Sequence, residues 1–113
     1  PFAETRVTVV DQGKLTEHLI TPESFGFALS PPGAIAGGEP AENARALTTI
    51  LSGDEHPAAD AVALNAAAAL VVFHGMTEAE AGAQAREVLA SGKAMKTLAT
   101  WSSAAKQRRA EKV

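Results

Sequence analysis

Hydrophobic and polar positions change rhythm twice along this chain. At the start they alternate: Val7 and Val9 with Arg6 and Thr8, then Leu15 and Leu19 with Thr16 and His18, with Asp11-Gln12-Gly13 between them as a turn. This predicts a β-hairpin over residues 5–20. From 21 to 38 no period holds, because Pro22, Gly26, Pro31, Pro32, Gly33, Gly37 and Gly38 interrupt any regular element. A long connecting loop is expected there, anchored by buried Phe25, Phe27 and Ile35. A connection of that length inside a compact domain is a functional loop or a domain crossing.

From 39 to 110 the spacing becomes helical. Pro40 suits a first turn, Ala44, Leu47, Ile50 and Leu51 follow at helical intervals, and Ser52-Gly53 ends the run. A second helix is predicted from Pro57 to about Phe73, with His74-Gly75 as its exit. Between Ala61 and Phe73 its sole polar side chain is Asn65, so the helix is apolar nearly all round and must be covered on most sides. The third carries a capping box, Thr77 with Glu80, an inner stripe of Ala81, Ala85, Val88 and Leu89, and Gly92 where a left-handed cap belongs. A fourth segment from Lys93 places Ala94, Leu98, Trp101 and Ala105 on one face and ends in KQRRAEKV. The fold class predicted is α/β, a hairpin followed by three to four packed helices in one segment without internal repeats or linkers.

Composition narrows the partners more than the fold. With 46% hydrophobic residues, 20% charged and a formal charge of −3, the 113 residues suit a soluble single domain and offer no overall attraction for nucleic acid. Cysteine is absent, which excludes disulfides, thiolate metal sites and cysteine nucleophiles. The longest apolar stretch, Ala66 to Phe73, is far below the ~20 residues of a membrane span. No secretory signal is legible, and a cytoplasmic location is expected. Four Phe, one Trp and abundant alanine bury little area per helix, so the helices read as part of a larger core that is poorly stable alone.

Candidate chemistry is sparse. Gly37-Gly38 before a helix could cradle a phosphate, but Glu39 and Glu42 stand in the first turn with no cation until Arg45, so a flexible helix start is expected instead. Asn65 must find a hydrogen-bond partner, since a buried unpaired amide costs roughly 1 to 3 kcal/mol. That partner is either a ligand or a structural neighbour, with Asn43 a candidate. His18, His56 and His74 lie in different elements without ligand spacing, and Glu4, Asp11 and Glu17 form no calcium-loop pattern. Neither Ser24, Ser30 nor Ser52 sits in a nucleophile elbow. Lys106, Arg108, Arg109 and Lys112 could meet nucleic acid or an acidic partner, yet they lack interleaved aromatics and suit a solvated helix end. No residue of the chain is assigned a catalytic, cofactor-binding or metal role.

Several strings in fixed order resemble one family. Leu19 to Gly26 (LITPESFG) is similar to its "TPEDFG", Gly37 to Ala44 (GGEPAENA) to its "GGDPxENA", and Asp60 to Leu70 (DAVALNAAAAL) to its "D-x-V-x-L-N-A-A-x-A-L". Glu80 to Leu89 and then Ser91-Gly92-Lys93-Ala94 resemble its closing "EGxxxAxExIxSGxA". The family is anthranilate phosphoribosyltransferase, and the resemblance covers about Thr5 to Trp101, the C-terminal part of its large α/β domain. It implies a transferase of tryptophan biosynthesis that joins anthranilate nitrogen to the ribose C1 of phosphoribosyl pyrophosphate, with magnesium on the pyrophosphate. It also implies a homodimer when the enzyme is intact.

The family's glycine-rich diphosphate loop, K-H-G-N-R loop, anthranilate-binding arginine and Asp-Glu magnesium pair all lie upstream of the matching region. Glu4 is therefore not given the metal role. The resemblance implies a structural segment, inactive alone, whose partner is the N-terminal portion of the same enzyme. Two other readings stay open: a non-catalytic paralogue or helical interaction module, and a related phosphorylase-type transferase with another acceptor.

Overall fold

The computed structural model describes residues 1–112 and has the order β1 (Thr5–Asp11), β2 (Lys14–Ile20), α1 (Pro40–Leu51), α2 (Ala59–His74), α3 (Glu78–Ala90) and α4 (Lys93–Glu111). A hairpin followed by four helices agrees with the expected α/β class. The residues gather into two compact units, one of 1–36 with 57–86 and one of 37–56 with the residues from 87 onward.

In the first unit, β1 and β2 pair antiparallel from Thr5↔Ile20 to Asp11↔Lys14. Gln12 and Gly13 close the loop at φ 47° and 79°, the left-handed backbone that a two-residue hairpin turn demands. The register sets Val7 and Val9 opposite His18 and Thr16, and Val10 and Leu15 opposite one another. Apolar side chains thus divide between both faces of the ribbon. Neither face is buried: Val10 and Leu15 on one are each 70% exposed, and Val9 on the other is 39% exposed.

The connection after β2 is more regular than its glycines and prolines suggest. Pro22–Phe25 and Pro32–Ile35 are single 3₁₀ turns, each with proline in its first turn. Gly26 at φ 81° terminates the first, and the Phe27 amide donates to the Pro22 carbonyl at 3.0 Å. Phe25 and Phe27 are buried, 4% and 1% exposed, as expected of anchors. Ile35 departs from that expectation at 47% exposure, because its turn lies outside the buried cluster.

Buried with the two phenylalanines are Ala63 and Ala67 of α2, which meets the Pro22–Phe25 turn, and Ala81 and Ala85 of α3. Gly82 lies among them because a Cβ there would collide with the Phe25 carbonyl. α2 starts at Ala59, not Pro57: the turn before it is closed by Ala61 and Val62 amides donating to Ala58. Its far end is bare, with Val72 and Phe73 exposed by 87% and 83%. Gly75, φ 64°, ends it by donating to the Val71 carbonyl. The expected capping box of α3 is present, Thr77 and Glu80 each accepting the other's backbone N–H at 3.2 Å.

In the second unit, α1 meets α4, and Ile50 is the buried apolar residue among those described. The stripe expected on α1 is otherwise open, Leu47 being 41% exposed. Ser52-Gly53 ends α1 as expected; Gly53, φ 87°, lies so near the Ala90 carbonyl that an added Cβ would stand 2.6 Å from the oxygen. Gly92 is left-handed at φ 73°, closing α3 through its N–H to Leu89 and leading directly into α4.

Candidate functional site

The start of α1 is the place where a phosphate cradle is conceivable, and the structure fills it with the chain's own side chains. The Gly38 amide donates to Asn43 Oδ1 at 2.9 Å, and Asn43 Nδ2 returns a bond to the Gly38 carbonyl at 2.9 Å. The Glu39 amide donates to Glu42 Oε2 at 2.9 Å. Donors that an anion needs are thus already committed, and the charge at this helix N-terminus is negative. Asn43's two-way clasp of Gly38 went unread in the sequence, although an Asn five residues after a Gly is within reach for such a cap.

Asn65 has a simpler fate than expected. It is exposed, and its Nδ2 donates to the Ala61 carbonyl one turn back at 2.8 Å. Both polar ends of Asn43, suggested as its partner, are spent on Gly38. Burial was inferred from an apolar helix that is covered along one side, Ala63 and Ala67, and open elsewhere.

A cleft of about 380 Å³ lies beside Asn65, between the N-terminal residues Phe2 and Glu4, the Ile20-Thr21 strand end and Leu64 of α2. Glu4 is its carboxylate and no basic side chain lines it, so it offers nothing to clamp a diphosphate. Among the described residues no three His, Asp or Glu side chains gather where one ion could be held. His18, His56 and His74 are in β2, the segment after α1 and the last residue of α2.

The densest polar arrangement is one the sequence reading did not single out. Arg86 of α3 donates from Nη1 to the Gly26 carbonyl at 2.9 Å, stacks its guanidinium 4.1 Å from the Phe27 ring centroid, and faces Asp60 of α2 at 3.7 Å. The planar, five-donor guanidinium can do all three at once. With side chains 48% and 41% exposed, the ion pair adds little; the carbonyl bond and ring contact hold the 3₁₀ corner to α3. The signal was the arginine one residue after Ala85, turned toward the same anchors. These contacts position the corner against α3.

A sequence profile described as glycosyl transferase family, a/b domain, matches residues 1–95. The chain belongs to this family. An anthranilate phosphoribosyltransferase of Methylobacterium radiotolerans is 44% identical over 97 residues, 84% of this chain and 28% of that protein. One from Geobacter sulfurreducens is 41% identical over 96 residues, 84% and 27% respectively. The crystal structure of anthranilate phosphoribosyltransferase from Thermus thermophilus superposes with a TM-score of 0.74 at 41% identity, covering 85% of this chain and 30% of that one. The chain thus spans somewhat more than a quarter of the length of these family members.

Family membership gives the quoted strings a physical content. TPESFG is the 3₁₀ corner with its left-handed Gly26, GGEPAENA is the self-capped start of α1, and SGKA is the left-handed junction at Gly92. Each string fixes backbone geometry. No helix among the described residues is long and apolar enough to cross a membrane.

Proposed function

We propose that this chain is the C-terminal part of an anthranilate phosphoribosyltransferase and serves there as scaffold. In the intact enzyme the anthranilate nitrogen attacks ribose C1 of phosphoribosyl pyrophosphate, the C1–oxygen bond breaks, and pyrophosphate leaves with that electron pair while the nitrogen gives up a proton. Magnesium is proposed for the intact enzyme, where it would neutralise the charge of the leaving pyrophosphate; no residue of this chain is proposed to hold it. The cytoplasm is the proposed location, and the intact enzyme is proposed to be a homodimer.

The observation that carries the proposal is 44% identity spread over 84% of the chain to a protein of that name. The residues support the scaffold role in particular: no basic side chain lines the cleft beside Asn65, the Gly38 and Glu39 amides at the start of α1 are occupied, and Arg86 is spent on holding the Phe27 corner. What this chain's residues do is position: they fix the 3₁₀ corner, the α1 start and the Gly92 junction.

The test follows anthranilate fluorescence with phosphoribosyl pyrophosphate and magnesium. The 113 residues alone are expected to consume none, whereas the protein encoded by the whole reading frame is expected to turn it over. Turnover by the isolated chain overturns the scaffold reading. A reading frame that lacks an upstream glycine-rich loop and Asp-Glu pair overturns the enzyme in favour of a non-catalytic module.

A further inference from the structure

The cleft of about 380 Å³ beside Asn65 holds unmatched chemistry. Its walls are apolar at Phe2, Ile35 and Leu64, and Glu4 and Asn65 stand among them. Asn65 Nδ2 is spent on the Ala61 carbonyl at 2.8 Å, which leaves Oδ1 over, and among the described residues nothing bonds to the Glu4 carboxylate. Both groups accept hydrogen bonds, so what meets them brings N–H donors. The start of the chain forms one side of the same cleft. The Ser30 amide donates to the Pro1 carbonyl at 2.8 Å and so fixes residue 1 there, against the loop that follows the Phe27 corner. A proline nitrogen inside a polypeptide carries no hydrogen, and the residue before a proline is driven to extended backbone. Residues joined to Pro1 therefore enter this place as an extended segment, and their amides, not that of residue 1, are the nearest donors.

We propose that in the intact protein this cleft receives the extended segment immediately before residue 1, and that Asn65 Oδ1 accepts one of that segment's backbone N–H groups. This rests on the reading of the chain as part of a longer enzyme, of which it spans somewhat more than a quarter. Tethering favours this occupant: residues joined to Pro1 are held at the cleft at high effective concentration, whereas a free ligand loses its translational freedom on entering. Charge favours it as well, since an anion would meet Glu4 with no cation to offset it, while backbone amides suit both acceptors. The segment also gives Asn65 a purpose that its own helix does not. Asparagine is a poorer helix former than the alanines around it, and a bond back to its own turn adds nothing that alanine would lack.

The experiment places Asn65→Ala in two contexts. In the 113-residue chain the urea midpoint is expected to stay or to rise, because an exposed asparagine gives way to a better helix former. In the protein from the whole reading frame the same change is expected to lower the melting temperature by about 3 °C, since a covered N–H loses its acceptor. Hydrogen exchange reads that N–H directly. In the parent, one backbone amide within a few residues before residue 1 is expected to be protected, and in Asn65→Ala to exchange about tenfold faster. Exchange of all those amides at the free-peptide rate in the parent overturns the proposal without any variant. An equal loss of stability in both contexts overturns it too, by returning Asn65 to its own helix. A raised KM for anthranilate at an unchanged melting temperature would put a substrate in the cleft instead. A whole-frame protein that folds but consumes no anthranilate sinks the enzyme reading and leaves the exchange result to decide this one.

Discussion

The β-hairpin and the Phe25–Phe27 corner belong to the same unit, yet treat their apolar residues in opposite ways. In the hairpin, Val10, Leu15 and Leu19 are 62 to 70% exposed, and the ribbon is held by its own register of backbone pairs and the Gln12-Gly13 turn. At the corner, both rings are almost wholly buried, as are alanines of α2 and α3, and an arginine stacks on Phe27. A two-stranded ribbon is marginal in water without a third strand or a packed face. The difference teaches which part of the unit supplies its own cohesion, and which depends on surface brought by other residues of the protein.

The comparison breaks most readily at Phe27. Phe27→Ala empties the most enclosed site and is expected to cost about 3 to 5 kcal/mol, leaving no cooperative urea transition in the chain. Gly82→Ala drives a methyl into the Phe25 carbonyl; a loss of about 2 to 3 kcal/mol is expected, read by the same titration. Arg86→Met keeps the aliphatic stem but removes the bond to Gly26 and the ring contact, with an expected loss of about 1 to 2 kcal/mol. The smallest effect sharpens the contrast. The pair Val10→Thr with Leu15→Thr is expected to change the isolated chain by no more than about 0.5 kcal/mol, since these side chains are already in water. In the protein from the whole reading frame the same pair should lower the melting temperature clearly; an unchanged value there would mean that the hairpin stays uncovered.

Local signals carried much of this structure. The Gly13 turn, the Thr77-Glu80 box and the left-handed glycines 26, 53, 75 and 92 act within a few residues, so position alone exposes them. Burial was less legible. Asn65 and Ile35 were assigned interior surroundings from apolar neighbours in sequence, but 113 residues cannot enclose every apolar face, and both lie open. Arg86 was missed for the converse reason: its partners at positions 26, 27 and 60 are remote in sequence, and no pattern of spacing announces a guanidinium that must reach a carbonyl sixty residues away. The strings that name the family were legible as turns and caps, since each acts within a few residues.

The self-capped start of α1 also bears on the order in which the chain acquires structure. Asn43 and Glu42 satisfy the amides of residues 38 and 39 through loops of three to five residues, whose closure entropy is small. Such a turn forms on the time scale of local helix growth and needs nothing from residues synthesised later or earlier. α1 can therefore be nucleated while the nascent chain is still emerging, its amides at 38 and 39 slowed in hydrogen exchange before the Phe27 corner has closed.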